Sequence, residues 1–148
     1  MSCGSGKASA TRSRALPDSK LLLDSHAFVW ALTKPDKLPR ASREAIDDLS
    51  RVILVSTASI WEIAAKVGRG RWPEADPVIE DVEGVLRRAG MTPLLVSVTH
   101  ARAAGTLEWD HRDPFDRMLA AQAIAEGAIL VTADRAFAAL AGLAVLWN

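Results

Sequence analysis

From Lys20 to the C-terminus, short apolar runs alternate with longer stretches in which apolar residues return every three or four positions. Leu21-Leu22-Leu23, Val52-Ile53-Leu54-Val55, Leu94-Leu95-Val96, Ile129-Leu130-Val131 and the segment 143–146 are too short for helices. Their apolar character is continuous rather than alternating, as in strands buried on both faces. The intervening segments predict helices. One is capped by Ser25, carries Phe28, Val29, Trp30 and Leu32, and ends before Pro35. A second covers 41–49. A third opens at Ser56 or Thr57, with Ile60, Ile63, Ala64 and Val67 on one face and Glu62 and Lys66 four apart toward its edge. Further helices are predicted over 77–88, 99–107, 114–126 before Gly127, and 134–140. Strands alternating with helices in this way predict an α/β fold, a parallel sheet of about five strands with helices on both faces.

The densest chemistry is His111-Arg112-Asp113-Pro114-Phe115-Asp116-Arg117. Asp113 before Pro114 has the form of an N-cap followed by a proline at the first helical position, where the missing N–H costs nothing. Asp116, three residues on, shares its side of the first turn, where the helix dipole favours a negative charge. In open parallel sheets, functional groups gather beyond the carboxyl ends of the strands. Asp24 directly follows the first strand, and Asp134 follows Ile129–Val131 by way of Thr132 and Ala133. Glu62 lies in the first two turns of a helix leaving that same edge. Each acid alone reads as ordinary: Asp24 and Asp113 as caps, Glu62 as half of a surface pair with Lys66. Together they predict Asp24, Glu62, Asp116 and Asp134 around one pocket. Like charges so placed oppose folding unless a cation joins them. An all-oxygen set suits Mg²⁺ or Mn²⁺, and the chemistry implied is phosphodiester hydrolysis by a metal-activated water.

Composition narrows the classes. A chain of 148 residues fits one domain with a substantial core. With 18 basic and 18 acidic residues it has no net charge, so any nucleic-acid contact must come from a local patch. The single cysteine, Cys3, forms no internal disulfide, which agrees with a cytoplasmic protein. No apolar run approaches the roughly 20 residues that span a bilayer. Residues 1–19 are rich in Ser, Ala, Gly and Arg and are expected to form a flexible extension ahead of a domain over 20–148. His26, His100 and His111 are far apart and lack the short pair spacing of a zinc site, so packing or hydrogen-bonding roles are expected.

Leu22-Leu23-Asp24-Ser25-His26-Ala27, Ser59-Ile60-Trp61-Glu62-Ile63-Ala64-Ala65-Lys66, the His111 to Arg117 motif with Leu119, Ala120, Gln122 and Ala123, and Leu130-Val131-Thr132-Ala133-Asp134 with Phe137 together resemble a PIN-domain ribonuclease of the VapC toxin type. The likeness covers 20–148 in order and implies a three-layer α/β/α sandwich. It implies Asp24, Glu62, Asp116 and Asp134 as the catalytic metal-binding set, with Asp113 as an accessory acid and Thr132 as a hydroxyl near the metal. It also implies Mg²⁺- or Mn²⁺-dependent cleavage of RNA, a homodimer, and inhibition by a cognate antitoxin. Ser25 stands where many relatives have threonine, a swap that keeps a capping hydroxyl, and Glu108 and Asp110 add negative charge before the motif. Lys66, Arg69, Arg71 and Arg117, with Arg135, are the candidate RNA-binding cations. Trp72 and Trp109 read as packing residues rather than base-stacking ones. A receiver-type phosphoacceptor domain would want an aspartate after Val96, where Ser97 stands, and an Asp-x-Asp phosphatase would want an acid at His26. The alternative left standing is a PIN-like protein-binding module without catalysis.

Overall fold

The computed structural model describes residues 20–148, and the extension expected over 1–19 lies outside the described residues. Five parallel strands, β1 (Lys20–Leu23), β2 (Val52–Ser56), β3 (Thr92–Leu94), β4 (Ile129–Val131) and β5 (Val145–Leu146), form one sheet in the order β3-β2-β1-β4-β5. The helices are α1 (Ser25–Thr33), α2 (Arg40–Asp47), α3 (Thr57–Gly68), α4 (Asp76–Glu80), α5 (Val82–Ala89), α6 (Val98–Thr106) and α7 (Pro114–Glu126), with short 3₁₀ turns at Pro35–Lys37, Pro73–Ala75 and Arg135–Ala139. β1 is central, and Leu21, Leu22 and Leu23 are all fully buried.

The period of two along the strands divides the core into two layers. Leu21, Leu23, Ile53, Val55 and Val131 face one side, where Phe28, Ile63, Val78 and Leu86 cover them. Leu22, Leu54 and Leu130 face the other, against Leu119, Ala120 and Ala123 of α7. This is the expected three-layer α/β/α arrangement. The chain builds outward from β1 to β2 and β3, then crosses back to lay β4 on the other flank of β1 and β5 beyond it. The order therefore reverses between β1 and β4, and their carboxyl ends form the switch point at which ligands bind in such sheets.

Four elements differ from the sequence-based expectation: the helix expected over 134–140 is the 3₁₀ turn Arg135–Ala139, and three others change their spans. The helix expected over 77–88 is broken at Asp81, whose side chain accepts from Gly84 N and starts α5 as an N-cap. The third strand pairs at Thr92–Leu94 rather than 94–96, leaving Leu95 68 % exposed. Pro93 is tolerated there because β3 lies at an edge. The last strand shortens to Val145–Leu146. Among the described residues no helix is long and apolar enough to cross a membrane.

Candidate active site

At the carboxyl ends of β1 and β4 lies a cavity of about 430 Å³ lined by Asp24, Glu62, Asp113, Asp116 and Asp134, together with Ser25, His26 and Trp30. The register places it. Leu23 pairs with Val131, so the next residues, Asp24 and Thr132, emerge side by side. The backbone N–H of Asp24 donates to Val131 O (3.1 Å) and extends the ladder by one bond.

Each acid is fixed by a local rule of chain geometry. Asp24 caps α1, accepting from Ala27 N at 2.8 Å. Asp113 caps α7, accepting from Phe115 N (2.9 Å) and Asp116 N (3.2 Å) ahead of Pro114. Asp134 caps the 3₁₀ turn through Ala136 N at 2.9 Å, while its own N–H donates to Thr132 Oγ1 at 3.1 Å. Asp116, in the first turn of α7, accepts from His111 Nε2 at 2.7 Å. Glu62 is held between Ser25 Oγ, 2.6 Å from Oε1, and Lys66 Nζ, 3.2 Å from Oε2.

The electrostatics agree with crowded negative charge. Loss of water raises the Asp24 carboxyl above the ordinary aspartate value; the Thr132 hydroxyl bond, the Ala27 N–H and nearby His26 pull it back, and Glu62 pushes it further up. Asp116 is also raised, first by burial; the His111 bond opposes this, while Asp113 and Asp134 add to it. Asp24 thus feels Glu62, and Asp116 feels both Asp113 and Asp134. Among the described residues, no three histidine, cysteine, aspartate or glutamate side chains are gathered tightly enough to grip an ion without movement. The acids share a cavity rather than a ready-made cage.

A PIN-domain model matches residues 21–143. The chain belongs to the PIN-domain family. It is 31% identical over 118 residues to ribonuclease VapC22 of Mycobacterium tuberculosis, covering 78% of this chain and 87% of that protein, and so belongs to the VapC type within that family. To ribonuclease VapC16 of the same organism it is 34% identical over 82 residues, 49% of this chain and 58% of the relative. The crystal structure of VapBC2 from Rickettsia felis bound to a promoter DNA fragment is similar with a TM-score of 0.65 at 20% identity, covering 87% of this chain and 99% of that one. DNA-bound VapBC from Salmonella typhimurium gives 0.63 at 21% identity, over 86% and 96% of the two chains. At these identities the structural likeness concerns the PIN fold.

This PIN domain brings the expected acids, with Asp113, to the lining of one cavity, and places buried Thr132 where its hydroxyl lowers the Asp24 carboxyl. The expected RNA-binding cations divide. Lys66 reaches the site through Glu62 and stands over the Trp72 ring, 5.6 Å from its centroid. Arg69 and Arg71 are exposed beyond the end of α3, away from the cavity wall. The expectation for Arg117 does not fit. Its guanidinium donates from Nε to Ala104 O (3.0 Å), from Nη1 to Trp109 O (2.8 Å) and His111 O (3.0 Å), and from Nη2 to Leu107 O (2.6 Å). A fork spent on four backbone carbonyls shapes the loop between α6 and α7 rather than gripping phosphate.

Other side chains do work that spacing did not disclose. The hydroxyl of Ser25 does not cap α1, a task Asp24 performs, but holds Glu62. His100 completes a capping box with Ser97 and faces Glu126 at 3.1 Å, and His111 bonds Asp116, so hydrogen-bonding roles for both hold. Trp72 is buried, and Trp109 packs on His111 and Phe137. The only sequence signal for the loop clamp was an arginine one turn inside α7. Nothing in periodicity pointed to Ser25 or His111.

Two outcomes follow. Arg117→Ala should lose about 3 kcal/mol of stability, because several charge-assisted bonds to carbonyls vanish together; a denaturant midpoint equal to wild type would contradict the clamp. Because Asp24 and Asp116 are raised in the fold, the folded state retains protons that the unfolded chain releases. Metal-free stability from these groups should therefore fall as pH rises from the ordinary aspartate value through their folded values. Asp116→Asn should flatten that fall in chelator-treated melts, and an unchanged slope would remove Asp116 from the cluster.

Proposed function

We propose that this PIN domain is a cytoplasmic, divalent-metal-dependent endoribonuclease toxin, cleaving RNA phosphodiester bonds and held in check by a cognate antitoxin. The observation that carries the reading is the arrangement of Asp24, Glu62, Asp116 and Asp134, with Asp113, around one cavity at the switch point, two of them with raised carboxyls. The donor set fits Mg²⁺ or Mn²⁺ by its chemistry: it is all carboxylate oxygen around one cavity, and it carries charge that a cation would relieve. When bound, such a cation neutralises a phosphate and makes a neighbouring water a better nucleophile.

The chain's own part is placement. Thr132 and the Ala27 N–H orient Asp24, His111 orients Asp116, and Ser25 with Lys66 orients Glu62. Lys66 contributes positive charge at the cavity edge, and Arg69 and Arg71 continue it along the exposed end of α3 for the RNA backbone. The named relatives are ribonucleases, and the structural neighbours are VapBC complexes, which supports an antitoxin partner; a basic side chain of that partner would answer the charge of these acids. A homodimer has a surface to use: an apolar cleft of about 360 Å³ lined by Ala58, Trp61, Val96, Pro114, Phe115 and Met118, with Trp61 68 % exposed.

Purified protein should cleave RNA with Mg²⁺ or Mn²⁺ and stop on chelation. Asp24→Asn and Asp116→Asn should each reduce the rate by 100-fold or more, an order-of-magnitude expectation for losing a metal ligand, and should relieve the growth arrest caused by expressing wild type alone. Metal-dependent cleavage undiminished in both variants would sink the site. Intact cleavage with harmless expression would sink the toxin reading alone. No cleavage by wild type under any metal would favour the non-catalytic binding module.

A further inference from the structure

His111 precedes the cap of α7 by two residues and lies in the loop that follows α6, outside any regular element. A histidine in such a loop would ordinarily sample many positions, yet here it is restrained from several directions. Its carbonyl accepts from Arg117 Nη1 at 3.0 Å, within the set of bonds that also ties down Ala104, Leu107 and Trp109. Its ring stacks on Trp109, with centroids 4.6 Å apart and planes inclined by 27°. Phe137 approaches both rings, at 5.5 Å from Trp109 and 6.4 Å from His111. Phe137 belongs to the 3₁₀ turn that Asp134 caps and itself lines the cavity. The result is one fixed direction for Nε2, which ends 2.7 Å from Asp116 Oδ2.

We propose that His111 is a positioning residue for the metal site, holding Asp116 by Oδ2 so that Oδ1 is the oxygen left for a divalent cation, with Arg117 and Trp109 setting the imidazole. The inference rests on the metal-site reading of the acid cavity. Asp116 is a short side chain among Asp113 and Asp134, whose charges push against its own. Left alone, its carboxylate would rotate away from them and toward water. A directed donor removes that freedom before the cation arrives, so less ordering is charged against binding. Hydrogen-bond partners of ligating side chains elsewhere change metal affinity by about 10–100-fold when removed.

The test separates the donor from the ring. His111→Phe keeps an aromatic face for Trp109 and Phe137 but has no N–H; His111→Gln loses the ring but returns an amide N–H at about the reach of Nε2. Full-length wild type and both variants, treated with chelator and then titrated with Mn²⁺ alone, are followed by thermal melting, which reports ion binding without any turnover. The expected result is a half-maximal rise in melting temperature at about 10–100-fold more Mn²⁺ for His111→Phe than for wild type, and a midpoint nearer wild type for His111→Gln. A His111→Phe midpoint equal to wild type would overturn the positioning role while leaving the metal site standing. If wild type itself gains nothing from Mn²⁺, the metal-site reading falls and this inference falls with it. Should His111→Phe fail to fold, His111→Ala takes its place as the variant without the N–H, and a His111→Ala midpoint equal to wild type would overturn the role.

Discussion

The pairing of β4 with β1 is the constraint on which the site depends. Because Leu23 stands opposite Val131, Asp24 and Thr132 leave the sheet together, and the bond from Asp24 N to Val131 O fixes that exit. One residue of slip would turn Asp24 to the other face and bury a charged group in the leucine layer. The register is in turn set by the burial of Leu21, Leu22, Leu23, Leu130 and Val131, none of which can be exposed without losing core. The hydrophobic pattern, which has no chemistry of its own, thus decides where the chemistry stands.

Having gathered acids at one edge, the chain compensates for them mostly with dipoles. Backbone N–H groups at three helix or turn starts serve Asp24, Asp113 and Asp134, and hydroxyls from Ser25 and Thr132 serve Glu62 and Asp24. Lys66 is the cation at Glu62. These partners orient the carboxylates, but they leave Asp24 and Asp116 raised, so the folded apo site still holds charge in a position that disfavours it. On the proposed reading, an incoming divalent ion would relieve that residual strain and so would link the stability of the domain to the occupancy of its site.

The layers and the edge on which the acids gather were legible in the sequence, because they follow from periodicity and from the rule that parallel strands deliver their next residues to one side, whereas the strand order came only from the structure. Asp113-Pro114 marked the mouth of α7 correctly. What was not legible falls into two kinds. Leu95 and Val96 look like strand residues, but at a sheet edge apolar character does not secure pairing, and β3 took Thr92 and Pro93 instead. Asp81 is readable as a cap only if its competition with a continuing helix is weighed, and it won by reaching Gly84 N. The second kind is side-chain partnership across the chain. Ser25 with Glu62, Arg117 with four carbonyls, and His111 with Asp116 depend on where loops and helices meet, which no single-chain pattern encodes.

The central claim is that the carboxylate-lined cavity is a binding site for a hard divalent cation. Crystals of the full chain grown or soaked with Mn²⁺, with data collected at a wavelength where manganese scatters anomalously, test it most directly. The account predicts an anomalous peak inside the cavity, with oxygens of Asp24 and Asp116 at about 2.0–2.2 Å, near the short distances of small divalent ions. A peak outside the cavity, or none while Mn²⁺ is ordered elsewhere on the protein, would contradict it.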